Sequence, residues 1–337
     1  MTVFEKYDEI KWEKQKALSN VYTLTAFFRS LISYPYSNKI IDYLCKVSGT
    51  SKKSLSHRWD SFDKIFWDKQ YWNKISALSF STVIEANTKM LDKIILDEYN
   101  NETLILELAS WFSPRWMVFL NDYNIDETRY IETDLMETIE LKKDFYNNID
   151  LKTPLLTDFD ILKDNDWNNI LKLLKLLVKS QNIKQILIPI EWLLIYLNYK
   201  NQKKFFDNLR KLWIELEKIW IKKMKIFSME IPSHKNFTNW LVNEWFSYND
   251  HLEVMKNVDP IIISSLYDTD TEFFKSNNID EKLVKKYFYK GEIIEKLQTP
   301  KLEKYKDIKN LNIKINNFLT QDIIYTWELD ILKKIKK

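Results

Sequence analysis

The stretch KKFFDNLRKLWIELEKIWIKKMKIF, residues 203–227, carries the most regular pattern in the chain. Phe205, Leu209, Leu212, Trp213, Leu216, Ile219, Trp220 and Met224 recur at three and four residues and form one apolar stripe. That spacing predicts a single amphipathic helix over 203–227. Leu18, Val21, Leu24, Phe28 and Leu31 repeat the pattern and predict a helix over 11–33. Further helices are expected at 38–48, 51–75, 80–97, 102–111, 128–147, 166–180, 184–198, 236–247, 280–289 and 319–335.

Composition points the same way. Among 337 residues there are two glycines, Gly49 and Gly291. Hairpin turns, phosphate loops and doubly wound sheets draw on glycine for positive φ and close backbone approach. Neither a Rossmann fingerprint nor a Walker A loop is present. Asn, Asp, Ser and Pro can connect helices instead, so the expectation is an all-α fold, an irregular multi-helix bundle or short helical superhelix. The 45% hydrophobic and 15% aromatic content excludes wholesale disorder. Seven prolines fall at intervals mostly near forty residues. No residue pattern repeats between them, so they read as punctuation rather than as a solenoid. Polar, proline-bearing stretches suggest an N-terminal helical domain over 1–150, a central one over 151–279 and a Lys-rich helical region over 280–337.

One cysteine, Cys45, excludes an internal disulfide and fits a reducing compartment. His57, His234 and His251 are too scattered for a zinc cluster. The charged start MTVFEKYDEIKWEK has no apolar signal-peptide core. The apolar run from Ile186 to Leu197 is too short to span a bilayer and contains Glu191. A cytoplasmic protein without a membrane span, cofactor or metal is expected.

The net charge of +3 hides segregation. Residues 120–170 hold thirteen acidic against five basic residues, and 171–235 hold fourteen basic against five acidic. These blocks can pair within the fold or lie on separate surfaces. Lys204, Lys211, Lys218 and Lys222 accompany the Trp stripe of 203–227, with Glu215 and Glu217 interleaved. Such a strip can neutralise phosphates or lie against an anionic surface, or be a plain solvated face.

The segment IDYLCKVSGTSKKSLSHRW, residues 41–59, resembles the helix-turn-helix pattern. Cys45 takes the small position where two helices approach, Gly49 the turn, and Thr50 or Ser51 the cap of the second helix. Leu55, Trp59 and Phe62 then face inward at helical spacing. The resemblance implies that Lys52, Lys53, Ser56 and His57 present donors to phosphates and base edges. A tight structural hairpin with solvated lysines has the same signature.

Catalytic patterns are weak. Asp97, Glu98 and Glu102, with Asp207, Lys211 and Glu215, lie near the spacing of the two magnesium clusters of a prenyl or terpene-type synthase. A lysine replaces an oxygen ligand there, which magnesium does not accept. Paired Glu-x-x-His motifs for a di-iron bundle are missing. The acidic run Asp122, Asp126, Glu127, Glu132, Asp134, Glu137 and Glu140 reads as a solvated face or a surface for a basic partner. The resulting expectation is a non-enzymatic protein binding DNA or RNA through 51–58 and the basic helix. The alternative is a helical protein–protein scaffold or inhibitor using the acidic 120–170 region with Trp111 or Trp116.

Overall fold

The computed structural model describes residues 26, 29–30, 34–49, 51–54, 75–191, 193–228, 267–288, 297 and 325–330. At its centre lies a seven-stranded sheet in the order β3-β2-β1-β4-β5-β7-β6. The strands are β1 Thr103–Glu107, β2 Tyr130–Asp134, β3 Leu155–Asp158, β4 Gln185–Ile190, β5 Lys223–Ser228, β6 Val284–Phe288 and β7 Tyr325–Asp330. The first five are mutually parallel, and β7 runs antiparallel to both β5 and β6. The all-α expectation is therefore wrong, because the protein is α/β.

The reason lies in the interior strands. Every residue of β1, β2 and β4 is buried. Strands of a parallel sheet covered on both faces read as short apolar runs without alternation, which periodicity cannot separate from a buried helix. The expected helices over 102–111 and 184–198 are in fact β1 and β4, the latter followed by a 3-10 turn, Leu194–Tyr196. Likewise 280–289 holds a 3-10 turn and β6, 319–335 contains β7, and only the second half of 128–147 is helical.

The decisive stretch splits in two. A helix covers Tyr199–Glu217, opened by Asn198, whose side chain accepts from the Asn201 N–H at 2.9 Å. It buries Phe205, Phe206, Leu209, Leu212, Trp213 and Leu216. It stops in a left-handed turn at Trp220, φ 80°, where the Ile221 N–H returns to the Leu216 carbonyl at 3.3 Å. Glycine usually marks such a turn, and here an exposed tryptophan occupies it. The Lys222 N–H then bonds the Lys184 carbonyl at 2.8 Å, leading into β5, so Met224 is a strand residue.

Among the described residues the helices of seven residues or more are, in chain order, α1 Ser37–Ser48, α2 Ile75–Glu98, α3 Met136–Asn147, α4 Asp164–Gln181, α5 Tyr199–Glu217 and α6 Asp270–Ser276. The helices expected at 38–48, 80–97 and 166–180 are found as α1, α2 and α4. Those at 11–33, 51–75 and 236–247 fall largely or wholly outside the described residues. Leu104, Leu106, Ile186, Ile188, Met224 and Ile226 pack from one face of the sheet against α4, α5 and α6. From the other face Ile105, Tyr130, Leu187 and Phe227 pack with α1, α2 and Phe145 and Tyr146 of α3.

This layering removes the helix-turn-helix, DNA-binding reading. Gly49 does make the left-handed turn, with φ 63°, and Cys45 is packed. Ser51 accepts from the Ser54 N–H at 3.0 Å, as a cap does. However, Ile40, Ile41, Leu44 and Cys45 belong to the core over the sheet, so α1 is one member of its helical layer. Among the described residues no helix is long and apolar enough to cross a membrane.

Candidate functional site

The chain leaves β1 for β2 and β3 on one side, then returns to lay β4 on the other side of β1. In open parallel sheets that reversal opens a crevice at the strand carboxyl ends, and ligands bind there. Three strands reach a carboxylate at this edge: Glu107 closes β1, Asp134 closes β2 and Glu191 follows β4. All three are buried. Burying charge without a partner is prohibitive, so the partners define the site.

Arg115 supplies most of them. It follows Pro114 at the start of a short helical turn, Arg115–Met117, and is fully buried. Its Nε donates to Asp92 of α2 at 2.6 Å, one terminal nitrogen to Glu107, and the other to Glu191 at 2.9 Å. Arg29 donates to the second Glu191 oxygen, while the hydroxyls of Tyr34 and Tyr130 donate to Asp92 and Glu107. Burial pushes the Asp92 and Glu107 carboxyls up, against the pull of Arg115. At Glu191 burial pushes the same way, but the two guanidinium groups more than reverse it and hold the carboxyl below its ordinary value.

A second network lies under the loop after β1. Glu132 of β2 and Lys142 of α3 are buried and paired at 3.0 Å, and the Tyr146 hydroxyl also donates to Glu132. Burial raises the Glu132 carboxyl, Lys142 opposes this and Glu107 adds to it, leaving the group pushed up to about 7. Lys142 also donates to the Ser110 hydroxyl at 2.6 Å, fixing the loop from below. The loop itself turns through Ala109 and Trp111, both at φ 48°. Left-handed backbone costs a non-glycine residue about 1–2 kcal/mol. Here the Asp134 carboxylate accepts the Trp111 N–H at 2.7 Å and the Leu135 N–H at 2.8 Å, while the Ser110 N–H bonds the Thr133 carbonyl at 3.0 Å. Burial raises the Asp134 carboxyl, opposed by Lys142 and these N–H groups.

The residues proposed from sequence lie elsewhere. Lys52 pairs with Asp42 at 2.7 Å and Lys53 is exposed, whereas Ser56 and His57 lie outside the described residues. Lys204 bonds the Leu162 carbonyl at 2.7 Å and Asp164 at 3.1 Å, Lys211 reaches Asn208 at 3.4 Å, and Lys218 pairs with Glu215. Lys222 is exposed at the start of β5. Since α1 and α5 cover opposite faces of the sheet, the two lysine groups do not form one surface.

The supposed magnesium clusters separate in the same way. Asp97 pairs with Lys93 at 2.7 Å, Glu102 pairs with Lys184, and Glu98 takes Lys223 and Lys225, each at 2.8 Å. Asp207 and Glu215 lie on α5, across the sheet from α2. Among the described residues no group of three or more His, Cys, Asp or Glu is placed to hold a metal ion. Nor is the acidic run a continuous docking face, since Glu132, Asp134 and Trp116 are buried. Glu107, Asp134, Glu191 and Arg115 were missed in the sequence, where the available signal was an apolar run closed by a carboxylate, at 104–107 and again at 186–191.

No family model matches the sequence, and no curated protein does. Among solved structures, magnesium protoporphyrin IX methyltransferase from Synechocystis with bound SAH is 9% identical, with a TM-score of 0.39 over 82% of this chain and 94% of that one. The plantazolicin methyltransferase BpumL in complex with SAH is 12% identical, with a TM-score of 0.34 over 94% and 98%. LepI in complex with SAM is 9% identical, with a TM-score of 0.34 over 86% of each chain. Likeness at this level assigns neither an activity nor a ligand to this chain.

Proposed function

We propose that this protein is an enzyme that binds S-adenosylmethionine at the carboxyl ends of β1, β2 and β4 and transfers its methyl group to a second substrate. This replaces the expectation of a non-enzymatic binding or scaffold protein. One observation carries the reading: five parallel strands ordered β3-β2-β1-β4-β5, continued by antiparallel β7 and then β6, with the switch point between β1 and β4. That strand plan is methyltransferase-like, and an all-α or DNA-reading unit has no use for it.

The residues at the switch point fit such a cofactor in kind. A carboxylate offers about four lone-pair sites, so Asp134 retains acceptor capacity beyond its two N–H bonds and its bond from the Thr138 side chain, as a ribose at the end of β2 requires. Glu107, Glu191 and Asp92 gather around Arg29 and Arg115, with Asp134 at the end of β2, a carboxylate-rich lining that suits a cationic ligand. When bound, the cofactor supplies a methyl group on a positively charged sulfur. The chain's own part is to hold the loop 108–113 in place through Asp134 and Lys142 and, through Arg29 and Arg115, to keep Glu191 ionised beside that charge. A dinucleotide suits the site less well, because its pyrophosphate needs glycine at the turn where Ala109 and Trp111 carry side chains. A cytoplasmic location goes with this reading, Cys45 being a free buried thiol.

Titration calorimetry with S-adenosylhomocysteine tests it. Saturable binding by the intact protein, weakened at least tenfold by Asp134→Ala with the fold retained by circular dichroism, is the expected result. A folded protein that takes up no S-adenosylhomocysteine at about 1 mM, where even a weak site of about 4 kcal/mol would be half filled, refutes it.

A further inference from the structure

Helix α2 leads directly into β1 through residues 99–102 and so runs opposite to it. Its last residue, Glu98, marks the amino-terminal edge of the sheet: its carbonyl accepts from the Gln185 side chain at 2.9 Å, and its carboxylate takes Lys223 and Lys225. Leu91 and Ile95, further up the helix, pack in the core with Leu187 and Phe227. Asn87 and Thr88 precede Leu91 by four and three residues, so they stand one turn higher on the sheet-facing side. Eleven residues of helix rise about 16 Å, and five residues of strand advance about 16 Å. That rise puts Asn87 and Thr88 level with the carboxyl ends of β4 and β5.

Both side chains are polar and buried, at 0% and 1% exposure, and neither has a hydrogen-bond partner among the described residues. At Asn87 the amide nitrogen and oxygen are both unpartnered there, and at Thr88 the hydroxyl is. Nearly all buried polar groups in folded proteins are paired, and a specific exception calls for an explanation, such as a catalytic role or a bound water or ion. One turn below, Asp92 of the same helix meets Arg115 of the charge cluster. An open amide edge offers one donor and one acceptor side by side, and its complement is another planar edge of the same kind.

We propose that Asn87 and Thr88 form the recognition site for the methyl acceptor, and that they bind a neutral planar group with adjacent donor and acceptor, of the carboxamide or lactam class. The assignment of this ligand as the acceptor rests on the methyltransferase reading, but the site itself does not. Benzamide serves as the probe, and methyl benzoate, of similar shape without an N–H, as its control. Saturation-transfer NMR on the intact protein should show benzamide binding at least tenfold tighter than methyl benzoate. Asn87→Leu should abolish that preference, and Thr88→Val should reduce it.

Relieving an unpaired amide should also raise the melting temperature of Asn87→Leu by about 2 °C or more. Affinity for S-adenosylhomocysteine should stay within twofold. Equal binding of the two probes by the parent overturns the proposal, as does a lower melting temperature for Asn87→Leu, which would mean that the amide has a partner in the fold. A benzamide preference without any S-adenosylhomocysteine binding would uphold the site and refute the methyltransferase reading.

Discussion

Replacing Lys142 by methionine tests the buried network under the loop after β1. Glu132 is fully buried, pairs with Lys142 at 3.0 Å, and titrates at about 7 instead of its ordinary 4.5. A carboxyl raised on folding stabilises the native state at low pH, and that contribution is lost as pH rises from 4.5 through 7. In the parent the loss then levels off, at ~3 kcal/mol. The Lys142→Met side chain offers no positive charge, so in the variant Glu132 stays protonated well past pH 7 while the unfolded chain ionises as before. The variant therefore goes on losing ~1.4 kcal/mol per pH unit where the parent no longer does. Urea unfolding of both proteins at pH 6, 7, 8 and 9 measures this. Below pH 7 the difference should be smaller, set by the lost contacts to Ser110 and the Phe112 ring and by the lost pull of Lys142 on Asp134 and Glu107. From pH 7 to 9 it should widen by about 2 kcal/mol. A difference that stays flat from pH 6 to 9 would show that Lys142 does not hold Glu132 in its charged form.

Arg115→Met leaves Asp92, Glu107 and Glu191 without their shared guanidinium. Removing one partner from a buried ion network costs about 3–5 kcal/mol, so soluble yield and melting temperature should fall sharply, and wild-type values would refute the role assigned to it. Ala109→Gly removes the positive-φ penalty at the loop while loosening the unfolded chain; a net gain of about 0.5–1 kcal/mol is expected by urea unfolding, and a loss would mean that the methyl group packs. Lys52→Ala breaks a half-exposed pair with Asp42 and a long bond to Asn38, so stability should change by less than about 1 kcal/mol and S-adenosylhomocysteine binding should not change.

The sequence by itself determined the parts that depend on local spacing. Helices α1, α4 and the first two-thirds of 203–227 follow from a stripe at three and four residues, which needs only one buried face. It also determined that Cys45 is packed and that Gly49 makes the left-handed turn after α1. What only the tertiary structure decided is the sheet. In β1 and β4 both faces are covered, so their side chains show no period that sequence can read, and the partner strand lies 82 residues away at Thr103 and Gln185. Glycine poverty misled for a related reason: Ala109, Trp111, Asn182 and Trp220 hold left-handed positions, and around the first two, long-range bonds of Trp111 to Asp134 and of Ser110 to Thr133 stabilise what the residue type disfavours. The site was hidden by the same distances. Arg115 joins carboxylates from residues 92, 107 and 191, and no local pattern records that folding makes one cluster of them.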